Sequence, residues 1–163
     1  MQAMTQEQAN DSEVTQYSVT TKDGEFLIER GLYSLGKREH PLEVQIAQME
    51  TQKLGFHALE YEAYINVFNE AKSLVGGLQL QRRWNVAKLY SLWIDENIRG
   101  QGLGSHLMQE AESLTLAMGA NIITLETSDI HHFQFYLNHG FVIFHQTQDV
   151  IPNTRYYFMN KTI

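Results

Sequence analysis

The alternation of apolar and polar residues predicts β-strands in the first half of the chain. Residues 17–21 and 26–30 have strand composition and flank Asp23-Gly24. Because Asp-Gly between two such runs is typical of a tight turn, these segments predict a β-hairpin. Residues 59–67 and 73–81 alternate more loosely, and we expect them to pair as antiparallel strands.

Two adjacent glycines, Gly76 and Gly77, lie within the last of these segments. Glycine has no side chain to pack in a sheet, and inside a strand it typically marks a bulge or a close approach of another backbone. We therefore expect the strand at 73–81 to depart from regular pairing near these residues.

A helix is predicted between the two strand pairs, over residues 41–54. Pro41 suits the first helical turn, where its missing N–H is not needed, and Gly55 suits the end of the helix. The apolar residues that share one face of it are Leu42, Ile46 and Met49.

The second half of the chain alternates between strand and helix patterns. The apolar run 89–94 is followed by a helical pattern over 105–118, which stops at Gly119, and then by a buried strand at 121–127. We expect these two strands to be parallel neighbours joined by a right-handed crossover helix. The remaining predicted elements are a short helix and a final strand pair, at 131–138, 141–146 and 155–160.

Together these elements predict the α+β class, with a mixed, mostly antiparallel sheet, helices on both faces and a central β-α-β unit. We expect one domain over residues 17–163, preceded by a flexible polar arm at residues 1–16. In such sheets, ligands bind at the carboxyl ends of strands where the connections diverge, which predicts a site at residues 94–105.

The segment 99–105, Arg-Gly-Gln-Gly-Leu-Gly-Ser, has the composition of an anion-binding loop. Glycines let the backbone approach a ligand closely and adopt positive φ. The first N–H groups of the following helix have no intrahelical partner, and together with the helix dipole they attract phosphate. Arg99 adds a fixed positive charge at the same place.

Other interpretations of this segment imply different chemistry. Its glycines could serve only for tight packing of strand and helix. A dinucleotide-binding loop requires G-x-G-x-x-G, and here the third glycine, Gly104, comes too early. A Walker loop requires Lys-Ser/Thr after its last glycine, whereas Ser105-His106 follows here, so both nucleotide-binding patterns fit poorly.

Arg99-x-x-Gly102-x-Gly104 resembles the R/Q-x-x-G-x-G/A signature of the GCN5-related N-acetyltransferases (GNAT), which hold the pyrophosphate of acetyl-CoA with it. A hydrophobic strand precedes the signature here, as in that family. The later segment 135–141, Phe-Tyr-Leu-Asn-His-Gly-Phe, resembles the family's F-Y-x-x-x-G-F signature. The resemblance covers roughly residues 56–159, and two motifs in the right order are more specific than either alone.

The resemblance implies an acyl-CoA N-acyltransferase domain that uses acetyl-CoA as co-substrate and a primary amine as acceptor. It implies that Tyr136 assists the departing thiolate and that Ile94 lies beside the pantetheine. The residues implied to hold the pyrophosphate are Arg99, Gly100, Gln101, Gly102, Leu103, Gly104 and Ser105. Direct attack on a thioester also needs a polarised carbonyl, to which a strand N–H near Ile94 could donate.

A base for the attacking amine is not assigned. An alkylammonium has a pKa near ~10.4, so it must lose a proton before it attacks. Members of the family often need no single strong base. The acidic candidates on strands or at their ends are Glu60, Glu62, Asp95 and Glu126.

The segment before Tyr136 departs from the commoner family pattern. Many members carry Asn seven residues before this tyrosine and Ala four before it, where this chain has Asp129 and His132. His131 and His132 could contact the ligand, or His132 could carry a proton. Exposed or helix-capping histidines are the plainer interpretation, and the histidine spacing matches no common set of metal ligands.

Composition narrows the class of partner. The net charge of −7, with no basic cluster longer than Arg82-Arg83, argues against nucleic acid, and an acidic surface could favour a cationic amine. The lack of cysteine excludes disulfides and thiol nucleophiles. No signal-peptide pattern opens the chain and no apolar run approaches the ~20 residues of a membrane span, so we expect a cytoplasmic protein without a membrane partner.

Several alternatives stay open at this point. The chain could be an acyl-CoA-binding sensor or interaction module without turnover, or a nucleotide-phosphate binder unrelated to CoA. The acceptor, a small molecule or a peptide, is not identified because its pocket would come from the first half, which the resemblance does not match. A homodimer is common in such folds, which is an analogy only.

Overall fold

The computed structural model describes residues 13–34, 41–54, 60–131 and 133–163 of the chain. Its strands are β1 (Glu13–Thr21), β2 (Gly24–Ser34), β3 (Tyr61–Phe68), β4 (Leu74–Arg83), β5 (Val86–Ile94), β6 (Ile122–Ser128), β7 (Val142–Gln148) and β8 (Arg155–Thr162). Its helices are α1 (Pro41–Leu54), α2 (Leu103–Ala117) and α3 (Phe133–Asn138), with a 3₁₀ turn at Glu96–Ile98. None of these described helices is both long and apolar enough to cross a membrane.

The strands form one sheet in the order β1-β2-β3-β4-β5-β6-β8-β7. Neighbouring strands are antiparallel except β5 and β6, which run parallel and are joined by α2. This arrangement confirms the predicted α+β class, the mostly antiparallel sheet and the central β-α-β unit.

The element boundaries differ from the prediction in two places. β1 begins at Glu13, inside the segment predicted as an arm, and residues 1–12 of that arm lie outside the described residues. α2 begins at Leu103 rather than at Ser105, because Gly102 already serves as its N-cap. The helix ends close to Gly119, whose φ of 75° stops it as predicted.

One face of the sheet is covered by α2 and α3 and carries the core. In β3, every second residue on this face is buried, as Ala63, Ile65 and Val67 show. The α2 side chains buried against the sheet include Leu103, Leu107, Met108, Ala111 and Leu114. On α1, Glu50 pairs with Arg83 (3.1 Å), which by strand alternation points to the opposite face.

The pairing of β3 and β4 is irregular next to the two glycines, as predicted. Val67 pairs with Gly76 but Phe68 pairs with Leu74, so β4 has an extra residue at this point. A Cβ atom on Gly77 would lie 2.3 Å from the carbonyl oxygen of Ile65, which no real side chain could tolerate. Gly77 therefore permits the two backbones to meet.

We expect Gly77→Ala to destabilise the protein by about 3 kcal/mol, because the backbone of β3 must move to admit the methyl group. Gly76→Ala is the graded control, since its Cβ would lie 3.1 Å from the carbonyl oxygen of Trp93, a smaller overlap. Urea-induced unfolding measures the free energy of unfolding of both variants. A Gly77→Ala protein as stable as Gly76→Ala would contradict this close contact.

Candidate active site

β5 and β6 separate part-way along their length and leave a cleft between them. Their parallel pairing ends at Leu89 and Leu125, although β5 continues to Ile94 and β6 to Ser128. Tyr90 is a bulged residue of β5 with no partner on β4. A bulge bends and twists its strand, so it contributes to the separation of β5 from β6.

The predicted anion loop connects β5 to α2 at the open end of this cleft. Gly100 and Gly102 have φ angles of 77° and 88°, in the left-handed region that favours glycine. The N–H of His106 donates to the carbonyl of Gly102 (2.9 Å), and no side chain caps the helix. The N–H groups of residues 103–105 therefore have no helical partner and can bind an anion.

Arg99 and Leu103 place their side chains on opposite sides of this loop. Arg99 is exposed, and its Nε donates to the carbonyl of Ile94 (2.9 Å), which turns the guanidinium back across the end of β5. Among the described residues no carboxylate pairs with Arg99, so its terminal nitrogens can bind a phosphate. Leu103 is buried in the core, and only its backbone can contribute to the loop.

The tip of the β1–β2 hairpin is fastened to the loop through Gln101. Thr21 Oγ1 donates to Oε1 of Gln101 (2.7 Å), and Nε2 of Gln101 donates to a carboxylate oxygen of Asp23. Both ends of the amide are therefore held. This contact was not predicted from the sequence, and it makes the hairpin part of the candidate site.

A second set of contacts joins the hairpin to the first turns of α2. The hydroxyl of Tyr17 lies 3.0 Å from Nε2 of His106, and Arg30 of β2 pairs with Glu110 (2.9 Å). Burial, with a further contribution from the Glu110 carboxylate, raises the pKa of Tyr17 to about 12. The hairpin and α2 are thus linked by polar contacts at two points.

We expect Thr21→Val to weaken the binding of acetyl-CoA roughly 2- to 10-fold, the range of one neutral hydrogen bond, because the loop loses one of its two anchors at Gln101. Thr20→Val is the matched control, since Thr20 is exposed on the opposite face of β1. Calorimetric titration with acetyl-CoA gives the Kd of both variants. Equal affinities would show that the hairpin does not position the loop.

α3 packs on the first turn of α2 and brings the second motif to the loop. A Cβ on Gly104 would lie 3.1 Å from the ring of Phe135 and 3.6 Å from Cδ1 of Ile94, so the missing side chain lets three elements meet. His139 lies 2.7 Å from the carbonyl of Phe135 through Nδ1 and 3.0 Å from Oγ of Ser105 through Nε2. Because a carbonyl only accepts, Nδ1 carries the proton, and the neutral ring accepts from Ser105.

Tyr136, the residue implied to assist the thiolate, lies on α3 beside this junction. Its ring packs edge-to-face against Phe135 (centroids 5.3 Å apart) and Phe141 (5.9 Å). Burial raises the pKa of its phenol above the ordinary value. Within the part of the chain that the structure describes, no group hydrogen-bonds to this hydroxyl, which leaves it able to donate to a ligand.

Three of the four acidic candidates for a base have structural partners. The pairs are Glu60 with Arg83 (3.6 Å), Asp95 with the backbone N–H of Asn97 (2.9 Å), and Glu126 with Lys88 (2.5 Å). The fourth, Glu62, lines a depression on the face of the sheet opposite α2. Glu62 is therefore the candidate whose position best suits contact with a ligand.

The histidine segment contributes less than the sequence suggested. His131 is exposed, and His132 lies outside the described residues. Asp129, at the position where many family members have Asn, accepts from the backbone N–H of Arg155 (3.3 Å) and so links the end of β6 to β8. Within the described ranges, no three His, Cys, Asp or Glu side chains lie close enough to share a metal ion.

Comparison of sequence families gives one match, to the acetyltransferase (GNAT) family, over residues 30–141. This range contains the β-α-β unit, the anion loop and the second motif as far as Phe141. No curated protein matches the chain in sequence.

Solved structures share the fold at low identity. An acetyltransferase from Bacillus cereus ATCC 14579 is 22% identical with a TM-score of 0.61, over 78% of this chain and 96% of its own. PaiA N-acetyltransferase from Thermoplasma acidophilum, in complex with coenzyme A, is 19% identical with a TM-score of 0.52, over 75% and 70%. An aminoglycoside 6'-N-acetyltransferase complexed with coenzyme A is 14% identical with a TM-score of 0.57, over 80% and 96%.

Proposed function

The chain belongs to the acetyltransferase (GNAT) family, and we propose that it transfers the acetyl group of acetyl-CoA to the primary amine of a small-molecule or peptide acceptor by direct attack. Its enzyme class is that of an acyltransferase, and its co-substrate is acetyl-CoA. The observation that best supports the proposal is the cleft between β5 and β6, which leads from the anion loop to Tyr136's side of the sheet.

In the proposal, the pyrophosphate of acetyl-CoA lies against the loop 99–105. The loop supplies unpaired N–H groups and the Arg99 guanidinium, which together match the charge and geometry of phosphate oxygens. Ser128, at the end of β6 beside the cleft, has a fully buried hydroxyl that no described residue hydrogen-bonds. A pantetheine arm in the cleft would offer this hydroxyl the partner that it lacks.

The backbone of β5 can polarise the thioester carbonyl. The N–H of Asp95 donates to the carbonyl of Val75 on β4 (2.9 Å). Because the two groups of a trans peptide point in opposite directions, the carbonyl of Ile94 points away from β4, and in an extended strand the N–H of Ile94 points with it. That N–H therefore faces the cleft, where it can donate to the developing oxyanion.

Tyr136 acts on the leaving group. Attack by the neutral amine forms a carbon–nitrogen bond and collapse of the intermediate breaks the carbon–sulfur bond. The phenol of Tyr136 donates a proton to the departing thiolate and recovers one from water, while the amine releases its own proton to solvent. The raised pKa keeps this phenol protonated at neutral pH, as a proton donor requires.

Thiol release from acetyl-CoA in the presence of an amine library tests this function. We expect at least one amine to raise the rate of thiol release above hydrolysis and to gain an acetyl group by mass spectrometry. Binding of acetyl-CoA without acetylation of any amine would favour the sensor instead. Displacement of acetyl-CoA by ATP would favour a nucleotide-binding site.

Narrower properties stay predictions. The choice between a small-molecule and a peptide acceptor, the homodimer and the cytoplasmic location each rest on composition or on analogy with the family. Size-exclusion chromatography with light scattering tests the oligomeric state directly.

A further inference from the structure

A depression of about 240 Å³ lies on the face of the sheet opposite α2. The side chains that line it are Glu62 and Tyr64 of β3, Gln79 and Gln81 of β4, and Tyr90 of β5, and we call it the tyrosine pocket. Pockets for drug-sized ligands typically measure roughly 300–1,000 Å³, so this one fits a smaller molecule. Its position across three strands brings it to the edge of the cleft at the bulged Tyr90.

Neighbouring residues hold the walls of the tyrosine pocket in place. The hydroxyl of Tyr90 donates to Oε1 of Gln81 (2.7 Å), and Oγ of Ser91 donates to Oε1 of Gln79 (3.1 Å). The ring of Tyr64 lies across Gly31 of β2, since a Cβ there would come within 2.4 Å of it. The pocket is therefore a built feature rather than a gap between mobile side chains.

The charge of the tyrosine pocket is negative. Among the described residues that line it, Glu62 alone is charged. Lys88 lies 5.0 Å from the centre of the Tyr90 ring, but Glu126 balances its charge at 2.5 Å. A carboxylate beside two tyrosine rings suits an alkylammonium, whose charge pairs with the carboxylate and whose hydrocarbon chain contacts the rings.

The nitrogen held by Glu62 cannot be the nitrogen that is acetylated. Glu62 lies on β3, two strands from β5, which is roughly 10 Å at the usual spacing of ~4.8 Å between strands. The reacting amine must reach the thioester beside β5 and must be neutral, whereas the carboxylate of Glu62 favours a charged amine. A molecule that uses both places carries two amines separated by a short chain.

We propose that the acceptor is a small aliphatic diamine or polyamine, and that the tyrosine pocket holds its second, charged amine through Glu62. The proposal rests on the acetyl transfer proposed above. The bound ammonium stays charged throughout. The other amine loses a proton to solvent, forms the bond to the acetyl carbon and displaces CoA as the thiol.

A series of acceptors of equal length tests the proposal. The series is diaminobutane, aminobutanol and aminobutanoate, each with its two functional groups at the chain ends, so that only the distal charge changes. We expect kcat/KM for diaminobutane to exceed that for aminobutanol roughly 10- to 100-fold, the range of one hydrogen bond between charged groups. Aminobutanoate is expected to be the poorest acceptor.

Glu62→Gln keeps the size of the side chain and removes its charge, so it should make diaminobutane and aminobutanol equivalent. Glu70→Gln removes the same charge from an exposed turn between β3 and β4 and should leave the preference unchanged. If Glu62 were instead the base, Glu62→Gln would lower kcat for all three acceptors alike. Titration of diaminobutane into the protein saturated with CoA adds a reading that does not depend on turnover.

Equal rates for diaminobutane and aminobutanol in the wild-type protein would overturn the proposal. So would a charge preference that survives Glu62→Gln, or diaminobutane that neither binds nor reacts while acetyl-CoA binds and another amine is acetylated. In these cases the acetyltransferase function stands and only the diamine assignment fails. If the protein acetylates no amine and does not bind acetyl-CoA, the proposed function itself fails.

Discussion

Replacing Gly102 with valine is expected to abolish the binding of acetyl-CoA while the protein still folds. Gly102 has φ 88°, and a Cβ there meets no protein atom within 4 Å, so the added methyl groups project into the open space beside the loop. The left-handed conformation also costs a side chain about 1–2 kcal/mol, which tilts the loop N–H groups away from the phosphates. Each lost hydrogen bond to a charged phosphate lowers affinity roughly 10- to 100-fold.

The chain offers a matched control at the other end of the same helix. Gly119 has φ 75°, and its Cβ likewise meets no atom within 4 Å, so Gly119→Val carries a comparable strain far from the loop. We expect the two variants to lose similar free energies of unfolding in urea and only Gly102→Val to lose acetyl-CoA binding in calorimetry. Wild-type affinity in Gly102→Val would remove the loop from the site.

Replacing Tyr136 with phenylalanine is expected to lower kcat about 100-fold and to leave the Kd for acetyl-CoA unchanged. A positioned proton donor contributes about 10²- to 10⁴-fold to a rate, and the substitution removes only the donating hydroxyl. No described residue hydrogen-bonds to that hydroxyl, so the ring packing against Phe135 and Phe141 is kept. Tyr157→Phe is the matched control, because Tyr157 is a buried tyrosine whose ring stacks on Phe133 of α3 (4.7 Å).

The pH dependence of kcat gives a second reading of Tyr136. The protonated phenol is the active form, so its contribution is present below its pKa and lost above it. Because burial raises this pKa above the ordinary value of about 10, the wild-type protein should keep that contribution throughout the neutral and mildly alkaline range. A Tyr136→Phe protein with the wild-type kcat would exclude the phenol as the proton donor.

The elements of the fold were predictable because they depend on local patterns. Asp23-Gly24 between two strand-like runs predicted the first hairpin, and the glycines at 76 and 77 marked the irregular pairing of β3 with β4. The three glycines of the loop, followed by a helical pattern, likewise indicated where α2 begins and where an anion could bind.

The contacts that complete the candidate site were not predictable because they join residues far apart in the chain. Thr21 and Asp23 meet Gln101 across about 80 residues, and no spacing rule relates them. His139 reaches Ser105 only because α3 folds back onto α2. The bulge at Tyr90, which separates β5 from β6, follows from sheet pairing and leaves no mark in the alternation of residues 89–94.

The most direct test of the central claim is a calorimetric titration of the wild-type protein with acetyl-CoA, with ATP titrated separately as the control. Both ligands carry phosphates, but only acetyl-CoA has a pantetheine arm to enter the cleft between β5 and β6. We expect saturable binding of acetyl-CoA with a Kd in the micromolar range, on the order of −8 kcal/mol, and much weaker binding of ATP. No heat with acetyl-CoA, or equal affinity for ATP, would contradict the assignment of the loop and the cleft to this co-substrate.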